Sequence, residues 1–466
     1  MPDRPNVLFV IADRHDAEIL GVSMSARTAL WLTLLSAATP APGAEQARAA
    51  SAAQYGITWT FDAPARVGRF VTGDWWVVGP VTVRGVTPAP APGRSGSVVN
   101  PPAGKRQGYD DRIHGYDNAL RATFPRRLLP GESLVSTHSV AKVGDRTPET
   151  VKGQYCRGPL RTAAVLTCLA APPVDDAFRP PYCGKLKPAF RARQLRRDRL
   201  PRLKPAGPLP DRALHERYLQ RIWLDHFYEW PGRAMHPLEN MPDYGREITH
   251  IVSRVALMLL LDDPEKRHET LLLRFVQLGI DLYGITQSDS DLWRANGGHH
   301  SGRKWPILFA GIVLDHAGMR GVRASFAEDQ QTYHGKGWRG QKALWRINTN
   351  KLREHEHLPP GQWSGPPFRG TNNGHKSEGY RKLNGPTWVG QALAARLTGA
   401  TGDWNHDAFF DYVDRWVAEE VAGKEGRAAI GASGGPFVHA MWGAYRDRAD
   451  RIADEVRRKS RRKGGK

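Results

Sequence analysis

The spacing of apolar residues changes period part-way along this chain, and that change limits what it can fold into more than any single motif does. From Tyr55 the residues alternate with period two and are rich in aromatic and β-branched types, in "YGITWTFDAPARVGRF" and then "GDWWVVGPVTVRGVTP". Such alternation predicts strands separated by turns. Pro-rich stretches at 88–92 and 101–102 punctuate the strands, and the pattern fades after "ESLVSTHSVAKVG". Residues 50–149 are therefore expected to form an antiparallel β module of sandwich type. Its aromatics Trp59, Phe61, Trp75 and Trp76 have two uses open to them, core packing and a platform for sugar rings.

Beyond a Pro- and Arg-rich connector at 150–205, apolar residues recur every three or four positions. The segments are "RALHERYLQRIWLDHFYEW", "GREITHIVSRVALMLLL", "PEKRHETLLLRFVQLGIDLYGI", "WPILFAGIVLDHAG", "TWVGQALAARLTGA" and "NHDAFFDYVDRWVAEEV". That spacing predicts amphipathic helices, and Pro264 suits a first helical turn, where its missing N–H costs nothing. Successive helices of similar length joined by long polar loops predict an α/α toroid, an incomplete helical barrel, over 206–445; a plain helical bundle is the alternative. The expected class is an α+β multidomain protein with a basic tail at 446–466.

A chain of 466 residues, 40% hydrophobic, is long enough for two cores. Its most apolar stretch, Ile248 to Leu261, still carries His250 and Arg254, which argues against a membrane span. Lys and Arg outnumber Asp and Glu by 67 to 47, and the resulting formal charge of +20 favours anionic partners. Much of it lies in "KLKPAFRARQLRRDRLPRLK" (185–204) and in "VRRKSRRKGGK" after Glu455, which read as a solvated face and a tail or as a binding patch. No finger, recognition helix or stacking motif points to nucleic acid, and neither a P-loop nor a dinucleotide fingerprint is present. Neither a cofactor nor a metal is expected. Cys156, Cys168 and Cys183 lack the paired spacing of a zinc site and allow at most one disulfide.

Two beginnings compete at the start of the chain. "MSARTALWLTLLSAATPAPGAEQARA" from Met24 has a short basic start, an apolar run and small residues before Glu45, the layout of a secretory signal over 24–48. A secreted or periplasmic location follows as an expectation. Before it, "PNVLFVIAD" resembles the opening strand of the sulfatase family, with Asp13 matching a family calcium ligand. The nearest strings to the sulfatase nucleophile pattern, "CRGPLR" at Cys156 and "SGPPFR" at Ser364, misplace its arginine. Residues 1–23 are therefore read as a sulfatase-like fragment or a misassigned start.

Four loops concentrate polar and aromatic residues. "HPLENMPDYGRE" holds His236, Glu239, Asn240, Tyr244 and Arg246, and "DLWRANGGHHSGRKW" holds Trp293, Arg294, Asn296, His299, His300 and Arg303. "DQQTYHGKGWRGQ" contributes Tyr333, His334, Trp338 and Arg339, while "FRGTNNGHKSEGYRKLNG" contributes Asn372, Asn373, His375, Glu378, Tyr380 and Arg381. Loops this long are unusual in a compact domain unless they carry function. Elimination across a uronate ring needs this inventory. Asn, His or Arg neutralises the carboxylate so that the C5 proton becomes acidic, Tyr or His removes it, and Tyr protonates the departing oxygen.

The β-rich start, the toroid-like helical part, "NGGHH" and "NNGHKSEGYR" together resemble a polysaccharide lyase of the alginate-lyase type. The resemblance implies that Asn296, His299, Tyr333, His375 and Tyr380 carry catalysis. It implies that Trp293, Arg294, His300, Arg303, Trp338, Arg339, Asn373, Glu378, Arg381, Tyr244 and Asn240 bind an acidic polysaccharide. Each has a plainer reading: "NGGHH" as a turn, Asn240 and Tyr244 as a helix start, Tyr380 and Arg381 as loop packing, His250 as a core residue. Adjacent His299 and His300 would diverge on a regular element, which disfavours a shared metal. A glycoside hydrolase would instead need two carboxylates across the cleft, with Glu378 and either Glu239 or Asp243 as the pair. A non-catalytic glycan-binding protein would keep Trp293, Trp338 and the arginines.

Overall fold

The computed structural model describes residues 48–145, 158–228, 230–263, 265–347, 356–359 and 373–464, excepting the side chains of 373–377 and 463–464. The sulfatase-like opening, all but the last residue of the signal-like segment, and Cys156 lie outside the described residues. Eight strands come first: β1 (Arg48–Gln54), β2 (Ile57–Arg69), β3 (Trp75–Val78), β4 (Val81–Thr87), β5 (Ser97–Val99), β6 (Arg126–Leu128), β7 (Ser133–Ser139) and β8 (Leu160–Leu169). They make one curled sheet in the order β5-β7-β8-β3-β2-β4-β6, with β1 also on β2. The sheet is mixed rather than antiparallel throughout, because β8 enters between β7 and β3 and runs parallel to β3.

β8 was not expected as a strand, since it lies in the stretch read as a connector. A strand covered on both faces loses period-two alternation, and "LRTAAVLTCL" is buried along nearly its whole length. Ala163 and Val165 join the large core shared with the helices, while Ala164, Leu166 and Cys168 join Trp59, Phe61 and Val83 inside the curl. Trp59, Phe61 and Trp76 are buried, so only Trp75 keeps an accessible face, and Arg69 lies over it at 4.1 Å. Cys168 and Cys183 are free and buried.

A helical region follows: α1 (Arg212–Tyr218), α2 (Gly245–Met258), α3 (Glu269–Thr286), α4 (Lys304–Val313), α5 (Ala317–Arg320) and α6 (Ala327–Gln331). A short hairpin, β9 (Thr332–His334) with β10 (Ala343–Trp345), precedes α7 (Asn373–Leu397), α8 (Thr401–Trp404) and α9 (Asp407–Trp416). The last helices are α10 (Gly426–Ala432), α11 (Pro436–Tyr445) and α12 (Ala449–Gly464). α7 is the hub, with α2, α9, α11 and α12 packed on it. Ser253 of α2 enters its ladder: the hydroxyl donates to Thr387 O (2.5 Å) and accepts from Gln391 N–H (3.2 Å).

The helix expected from Pro264 begins only at Glu269, and Pro264 itself lies outside the described residues; three further segments depart from their expected form. The helix expected from Arg212 onward stops at Tyr218, whose carbonyl accepts from the Trp223 indole (2.8 Å) and the Asn240 amide (3.3 Å). Most of the fourth polar loop is instead the first half of α7, braced by Glu378 with Arg381 and Lys382 one turn on. The basic tail is α12, whose Ala449 and Ala453 are buried.

Sheet and helices are tied together by Arg179. Its guanidinium donates to Asp74 beside β3 (2.8 Å) and to both carboxylate oxygens of Asp281 on α3 (2.9 and 2.5 Å). Burial pulls its pKa down, but the two carboxylates more than restore it. Removing one partner of a buried network strands the others, so Arg179→Met is expected to cost about 3–5 kcal/mol. Urea unfolding measures this, and wild-type stability in the variant would show that the network does not couple sheet and helices.

Candidate functional site

"NGGHH" lies between α3 and α4 and folds as a turn fastened by its neighbours. Trp293 Nε1–H donates to Asp225 O (3.1 Å), and Ala295 N–H donates to Gln330 Oε1 (2.8 Å). Gly297 has φ +57°, and its carbonyl accepts from Gln331 Nε2 and Asn384 Nδ2, both at 2.8 Å. His299 N–H closes the turn on Asn296 O at 3.0 Å. His300 sits at φ +72°, a conformation rarely kept without a compensating contact, and its Nδ1–H donates to Arg294 O at 2.6 Å. Gly302 N–H then donates to the buried Glu328 at 2.6 Å.

The two glycines are dictated by two tyrosines. A Cβ at 297 would fall 2.9 Å from the ring of Tyr380 on α7, and one at 298 would fall 2.2 Å from the hydroxyl oxygen of Tyr244. Tyr244 immediately precedes α2, and its ring meets His299 edge-on, with centroids 4.7 Å apart. "NGGHH" is thus clasped between two phenols from helices distant in sequence.

Beside it lies a narrow recess whose lining includes His236, His299, His300, Arg233, Arg303, Asp225 and Asp243. Arg303 donates to Asp225 from Nε (2.5 Å) and Nη2 (3.1 Å), and His236 Nε2 lies 3.1 Å from the same carboxylate. Burial pushes the Asp225 carboxyl up, but Arg303 and His236 overcome it and hold the group well below the usual carboxylate range. The two guanidiniums balance the two carboxylates, with Arg303 committed to Asp225, and the three imidazoles add ring nitrogens that can meet a polar group. Arg233, one of its lining residues, lies over the half-exposed indole of Trp230 at 5.1 Å.

Of the residues expected at a site, Tyr244, Asn296, His299, His300, Arg303 and Tyr380 come together here. Trp293 does not offer a sugar face, because it is buried and stacked on Phe326. Arg294 is exposed and paired with Asp291. Asn240 is buried, donating to the carbonyls of Tyr218 and Arg221. Tyr333 is buried on β9 beneath Arg346, while Trp338 and Arg339 pack on each other in the β9–β10 loop. Arg381 is buried among Glu378, Glu356 and Glu420, so its charge is spent within the protein. Asn373 and His375 begin α7, and their side chains lie outside the described residues, as does Asn372 altogether.

Asp225, Arg233 and Trp230 were not expected at the site. Asp225 and Trp230 lie in the segment read as one helix from Arg212, which ends at Tyr218, and Arg233 lies just beyond that segment. Among the described residues no cluster of His, Cys, Asp or Glu is arranged to hold a metal ion, and no helix is long and apolar enough to cross a membrane. No protein family, curated protein or solved structure matches this chain.

His226, next to Asp225, is buried against the rings of Tyr109 and Tyr182, and burial pushes its pKa down to about 3. His215 on α1 is likewise pushed down, to about 4. Because unfolding lets both take up protons, their stabilising effect is complete above the ordinary histidine pKa and is lost as pH falls through it toward the folded values. Each is expected to cost about 2–3 kcal/mol of stability by about pH 4.5. Thermal midpoints across this range should fall, and less steeply in His226→Gln; an equal slope would remove His226 as a cause.

Proposed function

We propose that this protein is a polysaccharide lyase that cleaves a uronate-containing glycan by β-elimination. The observation that carries the reading is the clasp of "NGGHH" between Tyr244 and Tyr380 beside a recess lined by His236, His299, His300 and Arg233. In this reading α2, α3, α4, α7 and α9 are part of an incomplete α/α toroid whose loops form the cleft. The signal-like segment adds export to the periplasm or beyond.

The substrate carboxylate sits against His299 and Asn296, next to the recess that Arg233 helps to line. Neutralising that carboxylate stabilises the carbanion-like charge that develops at C5. Tyr380 acts as its phenolate and takes the C5 proton, becoming the phenol, while the C–H electron pair forms the C4–C5 double bond and the C4–O bond breaks. Tyr244 gives its proton to the departing glycosidic oxygen. Trp230 takes the sugar-stacking role first assigned to Trp293.

Two features weigh against a hydrolase. Glu239 is held by Arg161 (2.6 Å) and Arg221 (3.0 Å). Burial pushes Glu378 up, but Arg381 overcomes it and holds the carboxyl below its usual range, the wrong direction for a general acid.

Alginate, glucuronan, pectin, ulvan and glycosaminoglycans are the substrates to test, following the ultraviolet absorbance of the unsaturated uronate. A rise is expected with at least one, reduced about 10²-fold or more in Tyr380→Phe and in His299→Ala. A flat trace on every glycan, with binding retained, would replace the lyase reading with that of a binding protein.

A further inference from the structure

The two basic stretches of the sequence, 185–204 and the C-terminal run, lie more than 250 residues apart, yet the fold joins them. Ser460 of α12 is buried, accepting from Arg196 (2.9 Å) and donating to Asp198 (2.5 Å). The other five residues of Arg457–Arg462 are all cations, and all are exposed. They sit at the C-terminal end of α12, where the helix dipole favours positive charge. Acids at the junction are already matched: Asp198 by Arg196, Asp315 by Arg199, Glu269 by Arg197 and Asp454 by Arg457.

A groove of about 780 Å³ opens beside this junction. Arg202 and Lys266 stand along it as exposed cations, beside Asp263, His268 and the Arg197–Glu269 ion pair, and its floor is aliphatic, made of Leu200, Pro201, Leu259, Leu261 and Leu272. None of its lining residues is Phe, Tyr or Trp.

We infer that this face is a second binding surface, separate from the recess, for a linear acidic polysaccharide. Arg458, Lys459, Arg461 and Arg462 with Arg202 and Lys266 supply the positive charge for carboxylate or sulfate groups, and the aliphatic floor suits the C–H faces of pyranose rings. Single-stranded nucleic acid would call for aromatic stacking platforms, which the groove lacks. A membrane surface would call for an outward apolar stripe, whereas Ala449, Ile452 and Ala453 of α12 pack into the protein. Only the choice of glycan rests on the proposed function; the charge and the groove do not.

The test measures binding of the full chain to long alginate and to heparin at two salt concentrations, with a double-stranded DNA of matched charge for comparison. The triple variant Arg458→Glu, Arg461→Glu, Arg462→Glu is expected to weaken glycan binding at least about tenfold and to flatten its salt dependence by about two to three counterions. Turnover of a short oligouronate should stay as in wild type. A milder set, the same three arginines to Gln, should fall in between and guards against misfolding. Retention of affinity by both variants, or tighter binding to DNA than to either glycan, overturns the inference. If no glycan is cleaved but the variants still lose glycan binding, the lyase reading fails and this surface stands.

Discussion

Asp225 lies where three separate segments meet, and it is buried, so its charge has to be met by the protein. Arg303, at the start of α4, grips both of its oxygens, and His236 approaches the same carboxylate from the first polar loop. Its backbone carbonyl takes the indole N–H of Trp293. A buried carboxylate left unmatched would cost several kcal/mol, so the segment that breaks off after α1, the "HPLENMPDYGRE" loop and the "NGGHH" loop are locked to one another. The recess is the space that this lock leaves.

Rigidity around the turn follows the same logic on its other side. Gln331 at the end of α6 and Asn384 in α7 hold the Gly297 carbonyl of "NGGHH", while Gln330 holds Ala295 just before it and Glu328 holds Gly302 just after it. The amides reach a carbonyl that regular structure leaves unsatisfied, and buried backbone groups need such partners. The left-handed His300 is kept in place by this fastening, and His299 consequently meets Tyr244 edge-on. Positioning of this kind, with side chains held before a ligand arrives, is what acid–base and electrostatic catalysis require.

Helical spacing was legible in α2, α3 and α9, which leave part of their surface uncovered, and in α4, which is buried on all sides. It failed at Arg212 to Trp230, where the helical pattern continues past Tyr218 but the carbonyl there is claimed by Trp223 and Asn240. It failed in the other direction at Asn373 to Arg381, where Gly and Asn argue for a loop but the residues belong to α7. β8 escaped because both of its faces are covered. Among the site residues, His299, Tyr244 and Tyr380 were legible as chemical types in polar loops. Trp293 and Arg381 were of suitable type as well, but burial and ion pairing commit them to the interior.

What the sequence determined by itself is the division into a strand-rich start and a helical remainder, the positive charge, and the "NGGHH" turn, because periodicity, net charge and glycine are local properties. Which aromatic faces solvent, which arginine is already neutralised, and which tyrosines flank the glycines were decided only in three dimensions. Each depends on partners far away in the chain, as Asp225 is from Arg303, Gly297 from Tyr380 and Arg196 from Ser460, and their meeting is a property of the packed core.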